Sequence, residues 1–190
     1  MAEGKLFYVI GPSGSGKDSL MRYARERLAS DPRLVFAHRY ITRPVELHGE
    51  NHVALTEAEF DARLAAGLFA MHWSSHGLRY GIGQEINFWL AKGCNVVMNG
   101  SREYLAQARR RYPALTAILV TVSPEILAAR LRARGRETED QISERIVRAR
   151  QFMRPEGRLE IIENDTELHV AGDRLVQLLS VTSTSEPVSV

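Results

Sequence analysis

The stretch Gly11-Pro12-Ser13-Gly14-Ser15-Gly16-Lys17 constrains this chain more than any other. It follows an apolar run, Leu6-Phe7-Tyr8-Val9-Ile10, and leads into a helical pattern beginning near Lys17. Strand, glycine-rich loop and helix, in that order, turn successive backbone N–H groups around an anion. The helix N-terminus behind them adds partial positive charge. Lys17 is then expected to reach the β- and γ-phosphates of a nucleotide. The motif normally carries Ser or Thr after the lysine as a magnesium ligand, and this chain has Asp18. A carboxylate is a good hard-oxygen ligand for Mg²⁺, so Asp18 is expected in the metal role, with Ser19 as its substitute.

Such a loop belongs in a parallel sheet covered by helices, and the chain has the material for one. Its 190 residues fit one α/β domain, and 44% hydrophobic residues supply a core. A formal charge of +2 makes no case for nucleic acid. No apolar run approaches the roughly 20 residues of a membrane span, and the first is too short for a secretory signal. The single Cys94 cannot form an internal disulfide. It sits in Gly93-Cys94-Asn95-Val96-Val97-Met98, read as a buried strand, where inert packing is expected. These features lead to the expectation of a cytoplasmic protein with no membrane or nucleic-acid partner.

Along the chain, Leu20 to Ala29 reads as the helix after the loop, with Leu20, Ala24 and Leu28 on one face. Leu34 to Ala37 is a short strand, followed by a polar stretch from His38 to Pro44. His52 to Leu55 starts a third unit. Thr56 and Glu59 have the spacing of a capping box for a helix from about Glu57 to Ala66, stopped by Gly67. Leu68 to Trp73 and Arg79 to Ile82 look like strands around a turn at His76-Gly77. Glu85 to Lys92 is a helix, Asn95 to Met98 a core strand and Arg102 to Arg111 a helix. Leu115 to Val122 reads as a central parallel strand. Ser123 is the expected N-cap of a helix opened by Pro124. Leu159 to Ile162 is the last strand, Leu168 to Leu179 the last helix, and residues 181–190 a disordered tail. The expected fold is therefore α/β: a P-loop core sheet between helices (about 1–41 and 93–180), an inserted lobe (about 42–92) and a basic lid (about 134–148). Ligands in such sheets bind at the carboxyl ends of the strands, so the loops after Ile10, Ala37, Met98 and Val122 are expected to share one cleft.

Two constellations carry chemistry. Arg39 and Arg43, four residues apart, suit a phosphate bound by bidentate hydrogen bonds, and the Tyr80 hydroxyl is a further donor. The second is the arginine run Ala129-Arg130-Leu131-Arg132-Ala133-Arg134-Gly135-Arg136, continued by Arg145, Arg148 and Arg150. A basic helical hairpin hinged at Gly135 is what a lid over phosphates needs. The alternative for each arginine is a solvated helix face, given the interleaved Glu137, Glu139, Asp140 and Glu144. The histidines show no metal-site spacing, although His38, His48, His52, His72 and His76 crowd the inserted lobe.

Taken together, GPSGSGK, the Thr42-Arg43 pair, EFDARLAAG, RYG, RLRARGRE and Glu163-Asn164-Asp165 resemble the guanylate-kinase branch of nucleoside monophosphate kinases. The likeness covers residues 5 to 180. It fails where that branch reads its base. The family's guanine-reading Glu, Ser and Asp correspond by motif to Met71, Arg39 and Ser101, and a methionine cannot accept the N–H groups of guanine. A hydrogen-bonded site that loses its partners loses its selectivity. A pocket with more positive charge and fewer base contacts suits an acceptor with more phosphate and no base.

In GPSGSGKDSL, HRYITR, ENHVAL, GLRYGIG and VVMNGSR the chain more closely resembles the ribose 1,5-bisphosphate phosphokinases of phosphonate degradation. That resemblance implies Mg²⁺ with ATP as donor and a small phosphorylated sugar as acceptor. It implies that Gly11 to Lys17, Asp18 and Ser19 hold the ATP phosphates and metal, with Asn164 and Asp165 near the adenine. Lys17, Arg134, Arg136 and Arg145 are the expected cations around the transferring group. Arg39, Arg43 and Tyr80, with Asn99, Ser101 and Arg102, are expected to hold the acceptor. Two other readings stay open: a nucleoside monophosphate kinase with unusual base choice, in which Trp73 stacks on the base, and a catalytically inert binding module.

Overall fold

The computed structural model describes residues 3–44, 52–135, 138–151 and 157–180, the side chains of Arg134, Arg150 and Gln151 excepted. Arg136, expected as a lid cation, His48, and residues 181–190, expected as a disordered tail, lie outside the described residues. In chain order the elements are β1 (Leu6–Ile10), α1 (Lys17–Arg27), β2 (Leu34–Phe36), β3 (Arg39–Ile41), β4 (His52–Ala54) and α2 (Glu57–Ala65). Then come β5 (Phe69–Ser75), β6 (Leu78–Gly83), α3 (Glu85–Ala91), β7 (Asn95–Asn99) and α4 (Leu105–Arg111). The chain continues through β8 (Thr116–Thr121), α5 (Pro124–Arg134), α6 (Glu139–Gln151), β9 (Leu159–Glu163) and α7 (Leu168–Ser180). Among the described residues, no helix is long and apolar enough to cross a membrane.

Two compact units emerge, one from Met1–Tyr8 and Asp31–Leu115, the other from Val9–Ser30 and Thr116–Val190. Strand order is β2-β7-β1 in the first and β1-β8-β9 in the second, β1 being divided between them after Tyr8.

In the first unit, β2 runs parallel to β7, with Leu34 opposite Asn95 and Phe36 opposite Val97. A second sheet has the order β4-β3-β6-β5. Its β5–β6 hairpin turns at His76 (φ 50°) and Gly77 (φ 74°), the left-handed pair that the His-Gly dipeptide foretells. Phe60 of α2 packs with Leu55 and Phe69 in a small core flanked by Tyr40 and Leu64. The capping box forms as expected: Glu59 N–H donates to Thr56 Oγ1 (3.2 Å), and Thr56 N–H donates to Glu59 Oε2 (2.7 Å). Those hydrogen bonds hold the Glu59 carboxyl below its ordinary range.

Several expectations need correcting. The polar stretch after β2 contains a strand, because Tyr40 and Ile41 pair with Gly81 and Tyr80 across the sheet; its charges hide the alternation. Cys94 precedes its strand and is only half-buried. Leu28 is the half-exposed C-cap of α1, so Leu20 and Ala24 alone are buried from that face.

In the second unit, β8 and β9 pair in parallel from Ala117 opposite Leu159 to Thr121 opposite Glu163. Helices α5 and α6 are joined by the buried cluster Leu127, Ala128, Leu131 and Ile142. Arg132 closes their elbow with a bidentate pair to Glu139 (2.9 Å each). Ser123 occupies the N-cap of α5, but its side chain makes no capping bond. Its N–H donates instead to Asp165 Oδ1 at 2.7 Å.

Candidate active site

The phosphate loop lies in the second unit. Its chain reverses at Ser15, whose N–H donates to the Pro12 carbonyl (3.0 Å). Gly14 (φ 92°) and Gly16 (φ 82°) both take the left-handed conformation that side chains resist. A Cβ on Gly14 would stand 2.6 Å from Leu127, so the loop rests directly on α5. Helix α1 starts at Lys17 with Gly16 as N-cap and no side-chain cap, leaving its first N–H groups to serve an anion. The Lys17 side chain is 13% exposed, and its Nζ lies 2.8 Å from Asp18 Oδ1. The Asp18 side chain is 59% exposed and Ser19 partly exposed.

Arg145 of α6 donates from Nη1 to Ser13 Oγ at 2.9 Å. An arginine of α6 thus reaches the loop, 132 residues away in sequence. Of the other expected lid cations, Arg134 ends α5 with its side chain undescribed and Arg136 is outside the described residues. Arg148 pairs with Glu144 at the surface (3.3 Å). Arg130 is engaged by Asn164: its Nη2 donates to the Asn164 carbonyl (2.7 Å). Asn164, 3% exposed, turns its side chain to the loop and donates from Nδ2 to the Ser15 carbonyl (2.7 Å). Sequence reasoning missed this contact, whose partners have no local signal to link them.

The expected acceptor residues lie in the first unit. The Arg39 guanidinium stands 5.0 Å over the Tyr80 ring. Tyr80 stacks on Trp73 (5.5 Å, 5°), and Trp73 also stacks with Tyr104 (5.5 Å, 29°). The result is a ladder of one cation and three rings, in which Trp73 is already engaged by two tyrosines. Met71 is 1% exposed and belongs to the core, so it offers no polar group to any base. Arg43 is half-buried, and His52 donates from Nε2 to its carbonyl (3.2 Å). Arg79 is drawn off by Asp61 (2.6 Å) and Glu57 (3.2 Å). Asn99 ends β7 at 4% exposure, and Ser101 and Arg102 follow, half-buried.

Tyr8 is a further participant that the sequence concealed inside an apolar strand. It is fully buried, and its hydroxyl donates to the Ser101 carbonyl (2.9 Å) while accepting from the Ser101 N–H (3.0 Å). Burial pushes the phenol far above its ordinary range, so it stays protonated. One hydroxyl thereby fixes both polar groups of the Ser101 backbone. Tyr8→Phe leaves these half-buried groups without that partner, at a cost of about 1 kcal/mol. If Ser101 and Arg102 serve the acceptor, its KM rises by about tenfold while the KM for the nucleotide stays put; steady-state kinetics with each substrate varied checks this.

Comparison with known proteins follows the same lines. The guanylate kinase of Anaplasma phagocytophilum has the same fold (TM-score 0.67 at 16% identity, covering 97% of this chain and 88% of that one). The family model described as AAA domain matches residues 8–152. The fold and loop therefore define a P-loop protein with guanylate-kinase-like architecture. Ribose 1,5-bisphosphate phosphokinase PhnN of Thiobacillus denitrificans is 83% identical over 98% of both chains. The proteins of the same name from Psychromonas ingrahamii and Chromobacterium violaceum are 56% and 52% identical, over 94% and 93% of this chain and 91% and 94% of theirs. This chain belongs to the ribose 1,5-bisphosphate phosphokinase family, among the P-loop proteins that the AAA-domain model gathers.

Proposed function

We propose that this chain transfers the γ-phosphoryl group of ATP to the 1-phosphate of ribose 1,5-bisphosphate, giving phosphoribosyl pyrophosphate and ADP. The observation that carries the reading is the 83% identity, end to end, with a phosphokinase of that name. A phosphate-rich acceptor also suits a lobe in which Arg39 and Arg43 are present and Met71 is apolar and buried.

The nucleophile is an oxygen of the 1-phosphate, anionic at neutral pH, so the reaction asks for no general base. It forms a bond to the γ-phosphorus while the bond to the β,γ-bridging oxygen breaks, and ADP departs with that oxygen's charge. The chain's task is positioning and charge neutralisation. The backbone from Ser13 to Lys17 and the Lys17 ammonium hold the nucleotide phosphates. Arg145, with Arg134 and Arg136, brings positive charge to the transferring group. Arg39, Arg43 and Tyr80 hold the acceptor, with Asn99, Ser101 and Arg102 at its ribose or phosphates. Asn164 and Asp165 lie near the adenine edge. Mg²⁺ fits the donor set, because Asp18 and Ser19 offer exposed or partly exposed hard oxygens beside the loop. Bound there, it neutralises charge on the β- and γ-phosphates. A cytoplasmic setting agrees with ATP as donor.

An acceptor screen tests the reading. Purified protein with Mg-ATP is offered ribose 1,5-bisphosphate, GMP, AMP and ribose 5-phosphate, and ADP release is followed. Turnover on ribose 1,5-bisphosphate alone, with phosphoribosyl pyrophosphate as product, is the expected result. Turnover on GMP instead would make the chain a nucleoside monophosphate kinase.

A further inference from the structure

The contacts beneath the phosphate loop converge on one peptide plane. Asn164 Nδ2 donates to the Ser15 carbonyl at 2.7 Å. The Ser15–Gly16 peptide is trans, so its N–H points opposite to that carbonyl. Holding the Ser15 oxygen toward Asn164 therefore turns the Gly16 N–H away from it, to the side where a cradled anion would sit. Gly16 takes φ 82°, and a Cβ there would collide with Asn164 Nδ2, so loop and amide are in direct contact.

Asn164 is itself held from several directions. Its N–H donates to the Thr121 carbonyl (2.9 Å), its carbonyl accepts from Arg130 Nη2 (2.7 Å), and the next residue, Asp165, accepts from the Ser123 N–H (2.7 Å). The cluster holds buried polar atoms without a hydrogen-bond partner among the described residues: Ser15 Oγ, Asn164 Oδ1 and Arg130 Nη1. Arg130 Nη1 would lie 3.7 Å from a Cβ on Gly16. Buried polar groups of this kind carry a desolvation cost, and a purely structural brace would be cheaper if built from apolar side chains.

We propose that Asn164 and Arg130 are positioning residues that set the Ser15–Gly16 peptide for phosphate binding. Asn164 fixes the plane and Arg130 fixes Asn164, tying the loop to the end of β9 and the middle of α5. The proposal deepens the kinase reading and rests on its phosphate loop. It assigns Asn164 a task toward the phosphates, separate from any contact its backbone makes with the adenine.

The test uses the full chain and two probes, ADP and inorganic tripolyphosphate, which has no base. Asn164→Asp keeps the shape of the side chain but removes the N–H donor. It is expected to weaken ADP and tripolyphosphate by the same factor, about tenfold or more, in titration calorimetry. The KM for ATP rises with it, while the KM for the acceptor does not. Arg130→Met is expected to follow Asn164→Asp, and Arg130→Lys to recover much of the loss. If Asn164→Asp fails to fold by circular dichroism, the Met and Lys variants of Arg130 decide alone. Undiminished tripolyphosphate affinity in a folded Asn164→Asp protein overturns the proposal, whatever happens to ADP. So do folded Met and Lys variants of Arg130 that both match the unsubstituted chain. An unsubstituted chain that binds neither probe overturns the phosphate-loop reading, and this proposal falls with it.

Discussion

Lys17→Ala is expected to abolish phosphoryl transfer and to leave the fold standing. The expected loss is at least about 10³-fold in kcat, the scale of removing a preorganised charge from a developing anion. The fold survives because Lys17 is the first residue of α1, where alanine is a better helix former than lysine. The described ion-pair partner, Asp18, keeps a side chain 59% exposed, and an ion pair so open to solvent adds about 1 kcal/mol at most. Lys17→Arg is not expected to rescue, since a planar guanidinium cannot replace a compact ammonium within a loop built on glycines. The measurement is single-turnover transfer beside a thermal melt. Full turnover in Lys17→Ala would sink the mechanism.

The second large effect is expected at Arg145. Its Nη1 already donates to Ser13 Oγ, so the guanidinium needs no long excursion to meet a nucleotide phosphate on the same loop. Arg145→Ala should lower kcat by about 10²- to 10³-fold, toward the range of arginine fingers supplied to phosphoryl groups. ADP affinity should fall far less, because a charge that acts on the transferring group acts little on the product left behind. Arg148→Ala is the control: one turn along α6, Arg148 pairs at the surface with Glu144, and its loss should leave kcat within about twofold. Equal effects from the two substitutions would mean that general basicity of the lid, not the aim of Arg145, matters.

The parts of the fold visible in the sequence are those written locally. Glycines at 14 and 16, a lysine at the helix start, the Thr56/Glu59 box and the His76-Gly77 turn each announce a backbone conformation within a few residues. Strand β3 was not visible, because its three residues, Arg39 to Ile41, gain their identity from pairing with β4 and β6. The candidate site divides the same way. Lys17 and the arginine-rich hairpin could be read from their spacing. The bond between Asn164 and Ser15 spans 149 residues, and that between Tyr8 and Ser101 spans 93. The resemblance alone suggests a place near adenine for Asn164, and Tyr8 reads as one more position of an apolar run; neither carries a local mark of its distant partner.

The seat of Tyr8 has a consequence for how such a chain can vary over time. Its ring lies so close to Gly100 that any Cβ at that position would fall within it. The two residues, in separate strands' worth of sequence, therefore form one hereditary unit. A lineage that acquires a side chain at Gly100 must first surrender the ring at Tyr8, and with it the hydroxyl that orders Ser101. Change at Gly100 alone is closed while Tyr8 keeps its ring, and the loop after β7 takes its shape from a residue in the first strand.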